Sequence, residues 1–190
     1  MKTIWIDVDG TICNNVYYQD FNAELGINLT EETMTKYSIE DNYPCSQQHL
    51  QNYYKRLVSH NIYDYAHLLP DAKEVIEKLN EKYKVYLCSS CALSSLKDES
   101  GLFFKEKYDF LRKELPFINP KNYIFTGAKT LIPIDIAIDD KAKNLMGEGV
   151  KMRLLFTAFH NKNITDSELA SNNMLRVNSW KEIEKLLLTN

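Results

Sequence analysis

Asp7, Asp9 and Gly10 stand in the run Asp7-Val8-Asp9-Gly10-Thr11, directly after a short β-favouring stretch from Lys2 to Ile6. An apolar strand that stops at acid and glycine holds its first carboxylate at the strand mouth, and Gly10 permits the sharp turn. The loop could offer backbone N–H groups to an anion, and Asp9 could lean over the same place. Two such carboxylates can divide the work of nucleophile and general acid/base, provided a cation suppresses their repulsion. An Asp-rich turn is the competing explanation. Four fixed letters arise by chance in on the order of one in several hundred chains of this length, so the partners of the motif decide.

Asp139-Asp140 ends a second apolar run, Ile134 to Ile138. Adjacent residues on a strand point in different directions, so one carboxylate would reach a metal while the other supports a neighbour. With Asp7 and Asp9 they make an oxygen-rich, hard-ligand set of the kind Mg²⁺ prefers. Ser89-Ser90 follows the run Lys84 to Cys88, where hydroxyls and amides could cradle a phosphate. Lys129, ten positions before Asp139, could pair with a phosphate oxygen and with the carboxylates.

These residues need a scaffold that brings strand ends together. Short β-favouring runs recur at 2–7, 84–88, 122–125, 134–138 and 153–156, with a weaker one at 174–177. Helical patterns lie between several of them. Residues 71–82 put Val75, Ile76 and Leu79 on one face, with Asp71 and Glu74 at capping-box spacing. Residues 102–115 are amphipathic and end before Pro116, and Ser179 opens a last helix with Ile183, Leu186 and Leu187 as its stripe. Strands alternating with helices indicate an α/β fold with a doubly wound parallel sheet, whose ligands sit beyond the carboxyl ends of the strands. Residues 14–69 lack strand patterning and read as several short helices, one opened by Thr30. The division expected is therefore a core of 1–14 and 70–190 with a small helical insertion, 15–69, after the first strand. Eight of the 12 tyrosines fall in that insertion, either as a small aromatic core or as a lid for a planar ligand.

The 190 residues carry a net charge of −3 with 44% apolar and 26% charged residues. That is a soluble globular composition, and it disfavours a nucleic-acid polymer as partner. A small phosphorylated molecule is compatible, because one metal ion and one lysine reverse the local potential. The apolar start ends at Asp7, too short for a signal segment or a membrane span, and four cysteines do not form a disulfide framework. A cytoplasmic protein without membrane partners is expected, and a homodimer is allowed.

The order of motifs resembles the haloacid dehalogenase superfamily of phosphohydrolases: Asp7-x-Asp9-Gly10-Thr11 first, Ser89 second, Lys129 third and Asp139-Asp140 fourth. The resemblance implies a Rossmann-like core with a cap of the C1 type, with Asp7 accepting the phosphoryl group and Asp9 protonating the leaving oxygen. Lys129 and Mg²⁺ would stabilise charge on the transferring group. A narrower resemblance is to the 5′(3′)-deoxyribonucleotidases of the cytosolic and mitochondrial type. It rests on Phe125 to Thr130, Ile138-Asp139-Asp140, Leu155 to Asn161, Asn61-Ile62-Tyr63 and Leu69 to Ala72. It implies Asp140, ahead of Asp139, as the metal ligand beside Asp7 and Asp9, with Ser89, Ser90, Lys129 and Asp9 against the substrate. The chain departs from that family where specificity is set. Asn15 stands where the family has an aromatic, and Leu57 where it has a tryptophan. The implied function is Mg²⁺-dependent hydrolysis of (deoxy)nucleoside monophosphates through an aspartyl phosphate. The alternative is a phosphatase for a sugar phosphate or another small phosphometabolite. A phosphomutase, a protein phosphatase and a binding protein without turnover are further options.

Cys88 and Cys91 have the spacing of a redox pair or half a zinc site. Cys88 ends a buried strand and no second close pair exists, so structural roles are expected. His160 follows an apolar run and is expected to be a hydrogen-bonded structural residue, outside the catalytic set.

Overall fold

The apolar runs form six parallel strands in the computed structural model, which describes residues 1–189. They are β1 (Thr3–Ile6), β2 (Lys84–Ser89), β3 (Tyr123–Phe125), β4 (Ile134–Asp139), β5 (Val150–Phe156) and β6 (Met174–Val177). The sheet order is β3-β2-β1-β4-β5-β6. The chain moves outward from β1 to β2 and β3, then returns to the other side of β1 with β4. The switch point therefore lies between β1 and β4, where a ligand crevice opens.

Ile4, Trp5 and Ile6 are fully buried because β1 is central and covered on both faces. The period of two separates their neighbours. Ile4 and Ile6 join Leu87, Ile136, Ile138 and Leu154 in the larger core. Trp5 faces the opposite side with Cys88, Ala137 and Leu155. The larger core is closed by α3 (Ala72–Lys82), α4 (Ser100–Glu114) and α6 (Trp180–Leu188), through Val75, Ile76, Leu79, Phe103, Leu111, Ile183 and Leu187. The smaller one is closed by the 3-10 turn Ala142–Met146, through Leu145, and by α5 (Asp166–Ser171), through Leu169.

Between β1 and α3 run α1 (Tyr18–Leu25), a 3-10 turn at Ile39–Asp41, α2 (Gln47–Leu57) and a 3-10 turn at Ile62–Tyr65. The two connections of this segment lie side by side. Asn14 N–H donates to His67 O at 3.2 Å, Leu69 N–H to Ile12 O at 2.9 Å, and the Asn14 side chain bonds His67 N–H and Tyr65 O.

Three local expectations change. Asp71 adopts a left-handed φ of 63° and makes no side-chain cap, so the capping box at α3 does not form. That backbone turns the carboxylate away from the helix N–H groups. Thr30 opens a turn stapled by Thr33 Oγ1, with no helix behind it. On α6 the buried stripe is Trp180, Ile183 and Leu187, whereas Leu186 is exposed. Ser179 does cap α6, accepting from Glu182 N–H.

Candidate active site

Asp7 follows the last residue of β1, and its N–H donates to Ile138 O across the switch point at 2.9 Å. Asp139 ends β4 and Asp140 follows it, so the two acidic motifs meet because β1 and β4 are paired neighbours. Carboxylate oxygens of Asp7, Asp139 and Asp140 lie within 4.8 Å of one another. Lys129, in the 3-10 turn before β4, reaches Asp7 Oδ1 at 2.6 Å and Asp139 Oδ2 at 2.7 Å.

Asp139 and Asp140 have different partners. Asp139 accepts from Lys129, from Lys141 N–H at 2.8 Å, and from Asn144 at both oxygens. Asp140 Oδ2 meets His160 Nε2 at 2.8 Å, and its backbone carbonyl accepts from Asn161 at 2.7 Å. Burial, followed by the charge of Asp7, pushes both carboxyls well above the usual range. Burial opposes the Lys129 ammonium, but Asp7 and Asp139 outweigh it and hold the charge in place. Burial and then Lys141 lower His160 to about 4, so it stands neutral beside Asp140.

Gly10 sits in the turn after Asp9 with a φ of +78°, and a Cβ there would lie 2.4 Å from Asp140 Oδ2. Both the backbone and the close approach demand glycine. The turn itself uses the N–H groups of Gly10, Thr11, Ile12 and Cys13. The anion-binding expectation for this loop is thereby confined to Val8 and Asp9.

Asp9 is held from two sides. Tyr63 Oη donates to Oδ1 at 2.7 Å and Lys107 Nζ donates to Oδ2 at 2.6 Å. Lys107 also bonds Ser89 Oγ at 2.6 Å and Ser90 O at 2.7 Å. Ser89 is buried at the end of β2, whereas Ser90 is exposed beside it. Sequence reasoning missed Lys107, Tyr63, Asn144 and Asn161. Lys107 did carry a signal, a lysine in line with Phe103, Phe110 and Leu111 on the buried face of α4.

A cavity of about 430 Å³ joins these groups to the segment before α3. Its lining includes Asp7, Asp9, Ser89, Ser90, Lys129 and Asp140 together with Tyr17, Tyr37, Tyr53 and Tyr54. Asn15 and Leu57, the positions that depart from the family pattern, also reach it. Tyr37 spans from that segment to the acidic site, with Lys141 Nζ 3.5 Å from its ring centroid and His160 edge-on at 5.1 Å.

The cysteines do not support redox or zinc chemistry. Burial pushes the Cys88 thiol up to about 12 and the Cys91 thiol up to about 11, and the two side chains belong to different cores. Among the described residues, no helix is long and apolar enough to cross a membrane.

A 5′(3′)-deoxyribonucleotidase of Bacillus subtilis is 33% identical over 138 residues, covering 72% of this chain and 71% of that protein. Among solved structures, a haloacid dehalogenase-like family hydrolase from Streptococcus pneumoniae superposes with a TM-score of 0.56 at 16% identity, covering 98% of each chain. The D,D-heptose 1,7-bisphosphate phosphatase of B. bronchiseptica, complexed with magnesium and phosphate, gives 0.55 at 13% identity, covering 100% of this chain and 99% of that one. These two likenesses establish the fold. Residues 1–190 match the family described as 5′ nucleotidase, deoxy (Pyrimidine), cytosolic type C protein. The chain belongs to that family, and with it to the phosphoric monoester hydrolases of the haloacid dehalogenase fold.

Proposed function

We propose that this protein hydrolyses the phosphate ester of deoxyribonucleoside monophosphates, with Mg²⁺, through an aspartyl phosphate on Asp7. The observation that carries this reading is the cavity itself, which brings the acidic, lysine-bearing strand ends and four tyrosines into one lining. A phosphate suits the strand-end groups, and a planar base suits aromatic faces. Residues 15–69 would then act as a cap whose closure excludes water.

The donor set fits a hard divalent cation. Of the three buried carboxylates, Asp7 and Asp139 share Lys129, and burial, followed by the charge of Asp7, drives Asp139 and Asp140 towards protonation, a state that a bound cation would reverse. Asp7 and Asp140 would hold the ion. Asp9 would contribute through its main chain, because Tyr63 and Lys107 engage its carboxylate. Asp139, both oxygens already bonded, would chiefly fix Lys129. When bound, Mg²⁺ supplies charge neutralisation at the phosphoryl oxygens.

In the first step an Asp7 carboxylate oxygen bonds to phosphorus, the ester P–O bond breaks, and Asp9 gives its proton to the leaving alkoxide. In the second, Asp9 takes a proton from water as that water bonds to phosphorus, releasing inorganic phosphate and restoring Asp7. Lys129 neutralises charge beside Asp7 throughout, and Ser89 and Ser90 provide polar contacts for the phosphate.

A substrate panel tests the reading. Deoxyribonucleotides, ribonucleotides, sugar phosphates and p-nitrophenyl phosphate are offered with Mg²⁺ and with EDTA. Turnover of deoxyribonucleotides that EDTA abolishes is expected. Turnover of sugar phosphates without nucleotides would defeat it.

A further inference from the structure

Lys107 and Tyr63 take no part in the reaction as written, yet together they occupy both oxygens of Asp9. The Lys107 side chain is 0% exposed, and it projects from the apolar stripe of α4. An ammonium is costly at such a position unless it is paired, and Leu or Met would pack there without that cost. All three bonds of this ammonium go to residues of the site: the Asp9 carboxylate, the Ser89 hydroxyl and the Ser90 carbonyl. Asp9, Ser89 and Ser90 line the cavity, whereas Lys107 and Tyr63 stand behind them.

We infer that Lys107 and Tyr63 are positioning residues, a two-sided clamp that sets the orientation of Asp9 for proton transfer. The inference rests on the reading of Asp9 as the acid/base. A side chain on a turn has its own rotamer freedom, and a general acid acts only within hydrogen-bond reach of the leaving oxygen. Gripping each oxygen from a different element removes that freedom, and each carboxylate oxygen keeps a further lone-pair site for the transferred proton. The clamp also has a common support. The Tyr63 ring packs on Phe110 of α4 at 5.1 Å, and Ile62 N–H donates to Glu106 Oε2 of the same helix at 3.4 Å. One face of α4 thus carries Lys107 and seats the turn that carries Tyr63.

Leaving-group dependence separates positioning of an acid from a general packing role. Deoxyuridine 5′-monophosphate leaves as an alkoxide that needs a proton, whereas p-nitrophenyl phosphate leaves as a stable anion. For both, kcat/KM reports the steps up to formation of the phosphoenzyme. In Lys107→Met, kcat/KM for the nucleotide should fall about 10–100-fold and that for the aryl phosphate no more than about threefold. Tyr63→Phe, which removes one hydroxyl and keeps the ring on Phe110, should show the same asymmetry at about 3–10-fold, and it decides the matter if Lys107→Met does not fold. Equal losses on both substrates, or no loss, would overturn the clamp. Asp9→Asn is the reference. If it lacks leaving-group dependence, the acid/base reading itself fails; if it shows the dependence and neither clamp variant does, only the clamp fails.

Discussion

Gly10→Ala should damage the site far more than it damages the fold, and the structure separates the two costs. The φ of +78° is left-handed, where alanine costs about 1 kcal/mol relative to glycine. In a chain of this size that corresponds to a loss of about 2–4 °C in Tm. The second cost is steric. The new Cβ would stand 2.4 Å from Asp140 Oδ2, where ordinary contact begins at 3.4 Å. The carboxylate must therefore retreat by about 1 Å, a displacement that can cost on the order of 100-fold in rate. Asp140 has little room to adapt, being held by His160 at its carboxylate and by Asn161 at its carbonyl. Gly26→Ala supplies the control, because Gly26 has a φ of +65° with nothing within 4 Å of its added Cβ. Both variants should lose Tm, Gly10→Ala at least as much as Gly26→Ala because the contact with Asp140 adds to the backbone cost. Only Gly10→Ala should lose about 100-fold in kcat/KM, with the Mg²⁺ concentration for half-maximal rate raised about 10–100-fold. Thermal melts and Mg²⁺ titrations of phosphate release measure both effects. Wild-type turnover and Mg²⁺ dependence in Gly10→Ala, alongside the expected Tm loss, would refute the placement of Asp140 at the metal.

Asp7→Asn should lose steady-state turnover by on the order of 1,000-fold or more while keeping its fold, checked by phosphate release and circular dichroism. Mg²⁺ should raise Tm more at about pH 7.5 than at about pH 5, as differential scanning fluorimetry would show. Asp139 and Asp140 are raised above the 3.8 of a free Asp by burial and by Asp7, so they bind protons in the folded state that the unfolded chain releases. The stability they contribute is full below that value and is lost as pH rises through their folded values. A divalent cation relieves that loss where the carboxylates are ionised, and an equal Tm gain at both pH values would contradict it.

How far the site was legible depends on the range of the signal. Asp7, Ser89 and Asp139 stand at the ends of the runs that became β1, β2 and β4, and Asp9, Ser90 and Asp140 lie within two residues of those ends. A strand mouth can be read from a handful of neighbouring residues, because apolar periodicity and turn chemistry are local. Six strands and their parallel arrangement followed from the same local signals. Asp139 and Asp140 were expected to split their tasks because successive strand residues face opposite ways, and their partners differ accordingly.

Local rules failed where the backbone took another course. Asp71 and Glu74 have the letters of a capping box, but a left-handed Asp71 cannot present its carboxylate to the first turn. Thr30 has acids behind it, yet only a turn forms. The residues around Asp9 lay beyond any local pattern. Tyr63 is 54 positions away and Lys107 98 positions away, and they converge only because α4 packs against the 3-10 turn at Ile62–Tyr65. Asn161 and His160 reach Asp140 from the loop after β5 for the same kind of reason. The sequence by itself determined which candidate groups stand at the strand ends, since strand ends place them whatever surrounds them. Only the tertiary structure decided how Asp9 is held and which tyrosines wall the cavity, since both depend on helices meeting across the chain.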